Sequence, residues 1–248
     1  MTASVKNGPA RDEVQAHRGA SVVAPENTLA AFRAAAEQGA KWVELDVALL
    51  ADGTLVVIHD VTVDRTSSGT GSLGSLNRAD LEQLDAGSWF GSGFAGERIP
   101  TLEETLKVLG ELGLNANVEI KQHEHHRSLE QLTSAVQAAL RTRAAHTQIM
   151  ISSFDAQALA AMHRLEPELE MAMLWSKVPA DWQAQLEAIP AKTIHLDYRA
   201  LSIGLLEEAS KLGIKVRAWT VNEPAILLSF WPAGLAGVIT DNPAAFLG

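Results

Sequence analysis

Short runs rich in β-branched and other apolar residues alternate with helix-patterned segments along almost the whole chain. That alternation is the strongest constraint on the fold. Strand-patterned runs with a following helical pattern end near His17, Val47, Lys121, Phe154, Trp175, Asp197, Val221 and Asp241. Parallel strands need long crossovers, and a helix fills them. Eight β/α units in 248 residues fit a (β/α)8 TIM barrel better than an open doubly wound sheet. The dinucleotide-binding form of the open sheet also lacks its main signal, because no Gly-x-Gly-x-x-Gly opens a first helix. The expected class is therefore α/β, with residues 1–248 forming a single barrel domain.

Local signals mark the helices. Asn27 and Thr28 offer a start before LAAFRAAAEQ, and Gly39 offers a stop. Thr101 with Glu104 three residues on has capping-box spacing. SLEQLTSAVQAAL, from Ser128, has apolar residues at helical spacing. EPAILLSF is expected as the helix after the strand near Val221, and Pro243 suits the start of the last helix.

One run breaks the alternation. TLVVIHD follows WVELDVALL after a single Asp-Gly signal, Asp52 and Gly53. Read as a two-residue hairpin turn, this makes TLVVIHD an antiparallel extension of the second strand, outside the barrel count. It also places Asp46 opposite His59, with Glu44 and Asp46 on one face. The stretch 61–100, rich in Gly, Ser and Asp, is expected as a small insertion within the barrel domain.

Two carboxylates this close repel each other. Protonation, an adjacent base or a cation can relieve them, and a hard divalent ion, Mg²⁺ or Ca²⁺, is the most natural relief. Zinc would more commonly be held by several histidines. The plainer alternative is that Glu44 and Asp46 face solvent on an amphipathic strand. Recurrence weighs against it: other strand ends carry His17 with Arg18, Glu119 with Lys121, Ser152 to Phe154, Trp219, and Asp241. In a barrel those ends share the face that carries the chemistry.

Composition narrows the partners. The net charge of −10 argues against nucleic acid and anionic membranes as partners. An anionic substrate would need local cations, which singles out Arg18, Lys121 and a bound metal ion. The chain contains no cysteine, which excludes thiol and zinc–thiolate chemistry. No run approaches the ~18 apolar residues of a membrane span, and MTASVKNGPARDEVQ has no apolar core of a secretory signal. A soluble, cytoplasmic protein without stable membrane insertion is expected.

The ordered motifs resemble the glycerophosphodiester phosphodiesterase family. They are HRG at His17 with PENT at Pro25, ELD at Glu44, HD at His59 followed by DRTSSGTG, EIK at Glu119, SSF at Ser152, AWTVN at Ala218 and TDNP at Thr240. The resemblance spans His17 to about Pro243. It implies a barrel, one divalent ion (Mg²⁺ or Ca²⁺), and hydrolysis of small glycerophosphodiesters to glycerol 3-phosphate and an alcohol. By resemblance His17 and His59 are general acid and base, and Glu44, Asp46 and Glu119 hold the metal. Arg18 and Lys121 contact phosphate, and Trp219 lines the glycerol side. The family also suggests attack by the substrate's own glycerol 2-hydroxyl, through a cyclic phosphate. Gln122 stands where many relatives have proline; an altered loop is expected. The rivals are a lysophospholipase D or sphingomyelinase D-like phosphodiesterase, and a non-catalytic barrel that only binds.

Other residues read as structural. His123 and His125 sit in a polar loop without a further ligand set, and His146 and His163 read as surface or helix-end residues. His195, inside TIHLD, reads as structural although it could face the barrel mouth. Ser153 lacks a Gly-x-Ser-x-Gly elbow and is given a pocket or packing role. Asp64 and Arg65 are expected to pair locally. Trp89, Trp182 and Trp231 read as packing, and Asp241 as a structural acid at the barrel end.

Overall fold

The computed structural model of the protein describes residues 7–121, 127–189 and 191–248. Gln122, His123 and His125 lie outside the described residues. The strands are β1 (Val14–His17), β2 (Trp42–Leu49), β3 (Leu55–Val57), β4 (Asn115–Ile120), β5 (Ile149–Ser153), β6 (Glu170–Trp175), β7 (Thr193–Asp197), β8 (Lys215–Trp219) and β9 (Gly237–Thr240). The α-helices are α1 (Leu29–Glu37), α2 (Arg78–Leu81), α3 (Leu102–Leu112), α4 (Leu129–Leu140), α5 (Ala156–Leu165), α6 (Trp182–Glu187), α7 (Ile203–Lys211) and α8 (Ala244–Leu247). All strands except β3 pair in parallel, and β1 bonds to both β2 and β9, which closes a TIM barrel.

The period-2 alternation of a strand explains the two faces of this wall. Val43, Leu45 and Val47 on β2 join Ala116, Val118 and Ile120 on β4 in the apolar layer packed under the helices. The alternate residues turn inward and are largely polar: Gln15, Glu44, Asn117, His195 and Arg217 are all buried. The helices start as their caps dictate. Thr28, Thr101 and Ser128 each accept from a backbone N–H of the first turn, and Thr101 and Glu104 form the expected capping box. Between β8 and β9 the sequence departs from its helical pattern. Pro224–Leu227 forms only a 3-10 turn.

The hairpin differs from the two-residue expectation. Leu50 and Thr54 close the loop through Leu50 N–H to the Thr54 carbonyl at 2.9 Å, so Ala51, Asp52 and Gly53 form a three-residue turn. Gly53 sits at φ +89°, the left-handed position that three-residue hairpins reserve for glycine. The register shifts by one: Val47 pairs with Val57, and the Ile58 N–H bonds the Asp46 carbonyl. His59 is therefore not the cross-strand partner of Asp46. It reaches the barrel mouth because the chain leaves the sheet after Val57.

The segment 61–100 covers the outer part of this hairpin. Val63, Leu73, Leu81 and Ile99 pack on Ala48, Leu50, Val56 and Ile58 in a second, smaller apolar cluster. Arg65 does not pair with Asp64. It bonds Glu26 and Asp60 instead, and Asp64 accepts from the Gly71 N–H. Trp182 and Trp231 are buried as expected, but Trp89 is exposed.

The loop after β1 depends on left-handed backbone. Arg18 (φ 56°), Gly19 (φ 84°) and Asn27 (φ 56°) all lie there, and a Cβ on Gly19 would meet the Ala31 backbone carbon at 2.6 Å. Gly19→Ala is expected to cost about 2 kcal/mol or more, measured by urea denaturation. A loss below about 0.5 kcal/mol would mean that the loop relaxes freely.

Candidate active site

The site follows from the parallel register. β1 against β2 sets His17 beside Glu44, and β2 against β4 sets Asp46 beside Glu119. One oxygen from each of Glu44, Asp46 and Glu119 lies within 4.8 Å of the others, and all three side chains are buried. Burying like charges together is costly unless something compensates. Lys121 supplies part of it, with Nζ 3.1 Å from Glu119 Oε1 and 3.6 Å from Asp46 Oδ1. Arg18 supplies more: its Nε is 3.3 Å from Asp46 Oδ2, and its backbone N–H donates to Glu44 Oε2. Asn27 donates to Asp46 Oδ2 at 2.9 Å. Glu44 Oε1 remains buried without a hydrogen-bond partner. An all-carboxylate set with an orphaned buried oxygen fits a hard divalent cation.

The titration of the trio reflects this crowding. Burial, then the charges of Asp46 and Glu119, push Glu44 well above the usual carboxylate range. Burial and Asp46 push Glu119 up to about 7. Burial also opposes ionisation of Asp46, but Arg18, Lys121 and His59 outweigh it and hold Asp46 low.

Two imidazoles flank the trio, each anchored to an aspartate. His17 Nδ1 lies 2.6 Å from Asp241 Oδ1, and its Nε2 lies 3.9 Å from Glu44 Oε2. Ser21 and Asn222 also donate to Asp241. Burial raises the Asp241 pKa, but these donors more than offset it and bring it to about 2. His59 Nδ1 lies 2.7 Å from Asp60 Oδ1. Burial holds His59 below the usual imidazole value, with Arg18 and Lys121 adding to the effect against the pull of Asp46. An Nδ1–H bonded to carboxylate leaves Nε2 as the reactive nitrogen of the neutral ring.

Asp60 was not singled out in the sequence, although the HD dipeptide was a usable signal. Asp241 was read as structural; its bond to His17 makes it an orienting group as well. Glu26 and Asn27 of the PENT motif serve the site as well: Glu26 accepts from Arg18, and Asn27, expected only at a helix start, donates to Asp46.

A cavity of about 210 Å³ opens between these groups. Its wall includes His17, Arg18, Glu44, His59, Glu119 and Lys121. Trp219 lines it too, with Phe154 edge-on at 5.7 Å between ring centroids. All eight residues singled out as site candidates are thus gathered at one barrel mouth, with Asp46 just behind the wall. The cavity is also lined by Asn117, Ser152 and His195. Asn117 Oδ1, Ser152 Oγ, His195 Nε2 and Trp219 Nε1 are buried without hydrogen-bond partners. Ser153 does not join them: its hydroxyl donates to the Ile120 carbonyl. His146 bonds the Gly110 carbonyl at the surface.

Residues 17–245 match the model of the glycerophosphoryl diester phosphodiesterase family. The chain is 37% identical over 236 residues to a glycerophosphodiester phosphodiesterase of Caldanaerobacter subterraneus subsp. tengcongensis, covering 94% of this chain and 96% of that one. It is 32% identical to a glycerophosphodiester phosphodiesterase of Bacillus subtilis, covering 96% and 86%. A solved structure of an Oleispira antarctica phosphodiesterase, in complex with its product sn-glycerol-3-phosphate, superposes with a TM-score of 0.91 at 36% identity over 94% of both chains. The chain belongs to the glycerophosphoryl diester phosphodiesterase family and is an enzyme of that class.

Proposed function

We propose that this chain hydrolyses small glycerophosphodiesters to glycerol 3-phosphate and an alcohol, with His17 and His59 exchanging the protons. The observation that carries this reading is that two aspartate-anchored imidazoles and a buried three-carboxylate cluster border one small cavity. One histidine takes the proton of the attacking hydroxyl, from water or from the glycerol 2-position. The other gives a proton to the departing alkoxide. Attack by the 2-hydroxyl forms a cyclic phosphate, and water then opens it by breaking the bond to O2, with the two histidines in reversed roles. Asp241 and Asp60 hold the rings in the tautomer that presents Nε2. Arg18 and Lys121 neutralise charge on the phosphoryl oxygens. A divalent ion, Mg²⁺ or Ca²⁺, held by Glu44, Asp46 and Glu119 would add Lewis-acid stabilisation of the same charge. Trp219 packs the glycerol carbons, and the unpartnered polar atoms of Asn117, Ser152 and His195 suit its hydroxyls. A cytoplasmic setting, where deacylated head groups are dissolved, matches this substrate. Among the described residues no helix is long and apolar enough to cross a membrane.

A second reading has one observation in its favour. Val22, Val23, Phe154, Ile226 and Leu228 are exposed, and all follow the C-terminal ends of the parallel strands β1, β5 and β8, the end where the cavity opens. Such a rim suits a lysophospholipid, whose acyl chain would extend past Phe154. One assay separates the readings: purified protein with glycerophosphocholine or with a lysophosphatidylcholine, with and without EDTA. Glycerol 3-phosphate released from the first substrate and lost with EDTA is expected. Faster cleavage of the lysolipid would favour the second reading, and turnover of neither would favour a barrel that only binds.

A further inference from the structure

Arg65 lies in the segment after β3, and 46% of its side chain is exposed. It nevertheless makes four hydrogen bonds to two different carboxylates. Nη1 and Nη2 donate to Glu26 Oε2 and Oε1 at 2.7 and 2.8 Å. Nε and Nη2 donate to Asp60 Oδ2 and Oδ1 at 2.7 and 3.0 Å. Each carboxylate then holds a group of the site. Glu26 Oε1 also accepts from Arg18 Nη1 at 2.7 Å, and Asp60 Oδ1 is the partner of His59 Nδ1. One guanidinium thus bridges the supports of a phosphate-facing cation and a proton-transfer ring, without itself lining the cavity.

We propose that Arg65 is a positioning residue that sets the directions of Arg18 and His59 through Glu26 and Asp60, and so ties the segment 61–100 to the chemistry. Only a planar fork with donors on two edges can hold both carboxylates at once; an ammonium is a point donor on a flexible stem. The segment carries Arg65 on a fixed base. Val63 is buried against the hairpin, the Ser67 hydroxyl returns to the Val63 carbonyl at 2.7 Å, and the Ser68 N–H bonds the Asp85 carbonyl at 2.8 Å. Without the bridge Glu26 can swing with Arg18, and Asp60 is left to His59 alone. An Asp60 carboxylate relieved of its arginine stabilises the imidazolium more strongly, so the His59 pKa rises.

The inference rests on the reading that Arg18 and His59 serve the phosphodiester, and its test separates the two. Arg65→Ala is expected to lower kcat on glycerophosphocholine by about 10- to 100-fold, with KM changed by less than about threefold. Added guanidinium chloride, near 10 mM, restores part of that loss, while equimolar sodium chloride does not. Arg65→Lys keeps the charge and remains impaired by about fivefold or more; it serves as the second variant if Arg65→Ala melts early. The His59 imidazole titration, followed by NMR in the presence of chelator, moves up by about half a unit in Arg65→Ala, whether or not the wild type turns substrate over. A merely structural arginine would change melting but neither the titration nor the response to guanidinium. A folded Arg65→Ala protein with kcat within twofold of wild type, an unmoved His59 titration, or full activity in Arg65→Lys overturns the assignment. Inactive wild-type protein overturns the phosphodiesterase reading instead, and leaves the titration to decide the bridge.

Discussion

His17→Ala and His59→Ala are each expected to lower kcat on glycerophosphocholine by about 100-fold or more, while the melting curve stays close to wild type. Both rings are only partly buried, at 19% and 32% side-chain exposure. Truncation therefore removes little packing and leaves no large cavity. What it removes is one half of a proton exchange. The two halves act in series on one turnover, so the double variant should be little slower than the worse single one. Asp241→Asn, which keeps the shape beside His17 but removes the charge, should cost less than His17→Ala and impair orientation of the ring. Steady-state kinetics of these variants, with melting curves as the control for folding, decide the matter. Near wild-type turnover in either histidine variant removes that residue from acid–base chemistry.

The second large effect is expected from the carboxylate cluster. EDTA, or Glu119→Gln, should lower turnover by about 100-fold or more, and the reason is visible in the energetics of the three carboxylates. Glu44 and Glu119 have folded pKa values above their unfolded ones. A carboxylate shifted upward adds stability below its unfolded pKa and loses it as pH rises through the folded value, which is about 7 for Glu119. In chelator the melting temperature should therefore fall between about pH 5 and pH 8, by roughly 2–8 °C. Mg²⁺ or Ca²⁺ should remove most of that slope, because a bound cation takes over the work that protons do in its absence. Glu119→Gln should melt higher than wild type in chelator above pH 7 while remaining inactive, since it relieves repulsion and loses a ligand at once. Parallel melting curves with and without the ion, or chelator-resistant turnover, would end the metal assignment. Asp241 runs the opposite way. Its pKa of about 2 makes its contribution full above the usual carboxylate range and lost only in strong acid.

The barrel was legible because its signal is periodic and repeated. Each of the eight barrel strands lies on a β-rich run of the sequence, and the helix starts at Thr28, Thr101 and Ser128 are set by side chains acting within one turn. The carboxylates were legible for a related reason. Glu44 and Asp46 occupy strand positions whose neighbours Val43, Leu45 and Val47 are core residues, so their polarity requires a cause. Segments governed by a single local choice were less legible. The hairpin turn is decided by whether Gly53 takes the left-handed conformation within two residues or three. That choice shifts every cross-strand pair by one and removes His59 from its expected place opposite Asp46. The stretch after β8 has helical spacing, yet folds only as the short 3-10 turn Pro224–Leu227.

By itself the sequence determined the alternation of elements and which polar residues stand at the strand ends, because these depend on residue type and on separations of a few positions. Only the tertiary structure decided how those residues meet. The stagger between parallel strands sets Asp46 beside Glu119. Barrel closure brings Asp241 to His17 across 224 residues. The path of the segment after β3 carries Arg65 to Glu26 and not to its neighbour Asp64. Such contacts form where closure of the sheet, burial of apolar faces and pairing of charge are satisfied together, and no local pattern in the chain encodes that joint solution.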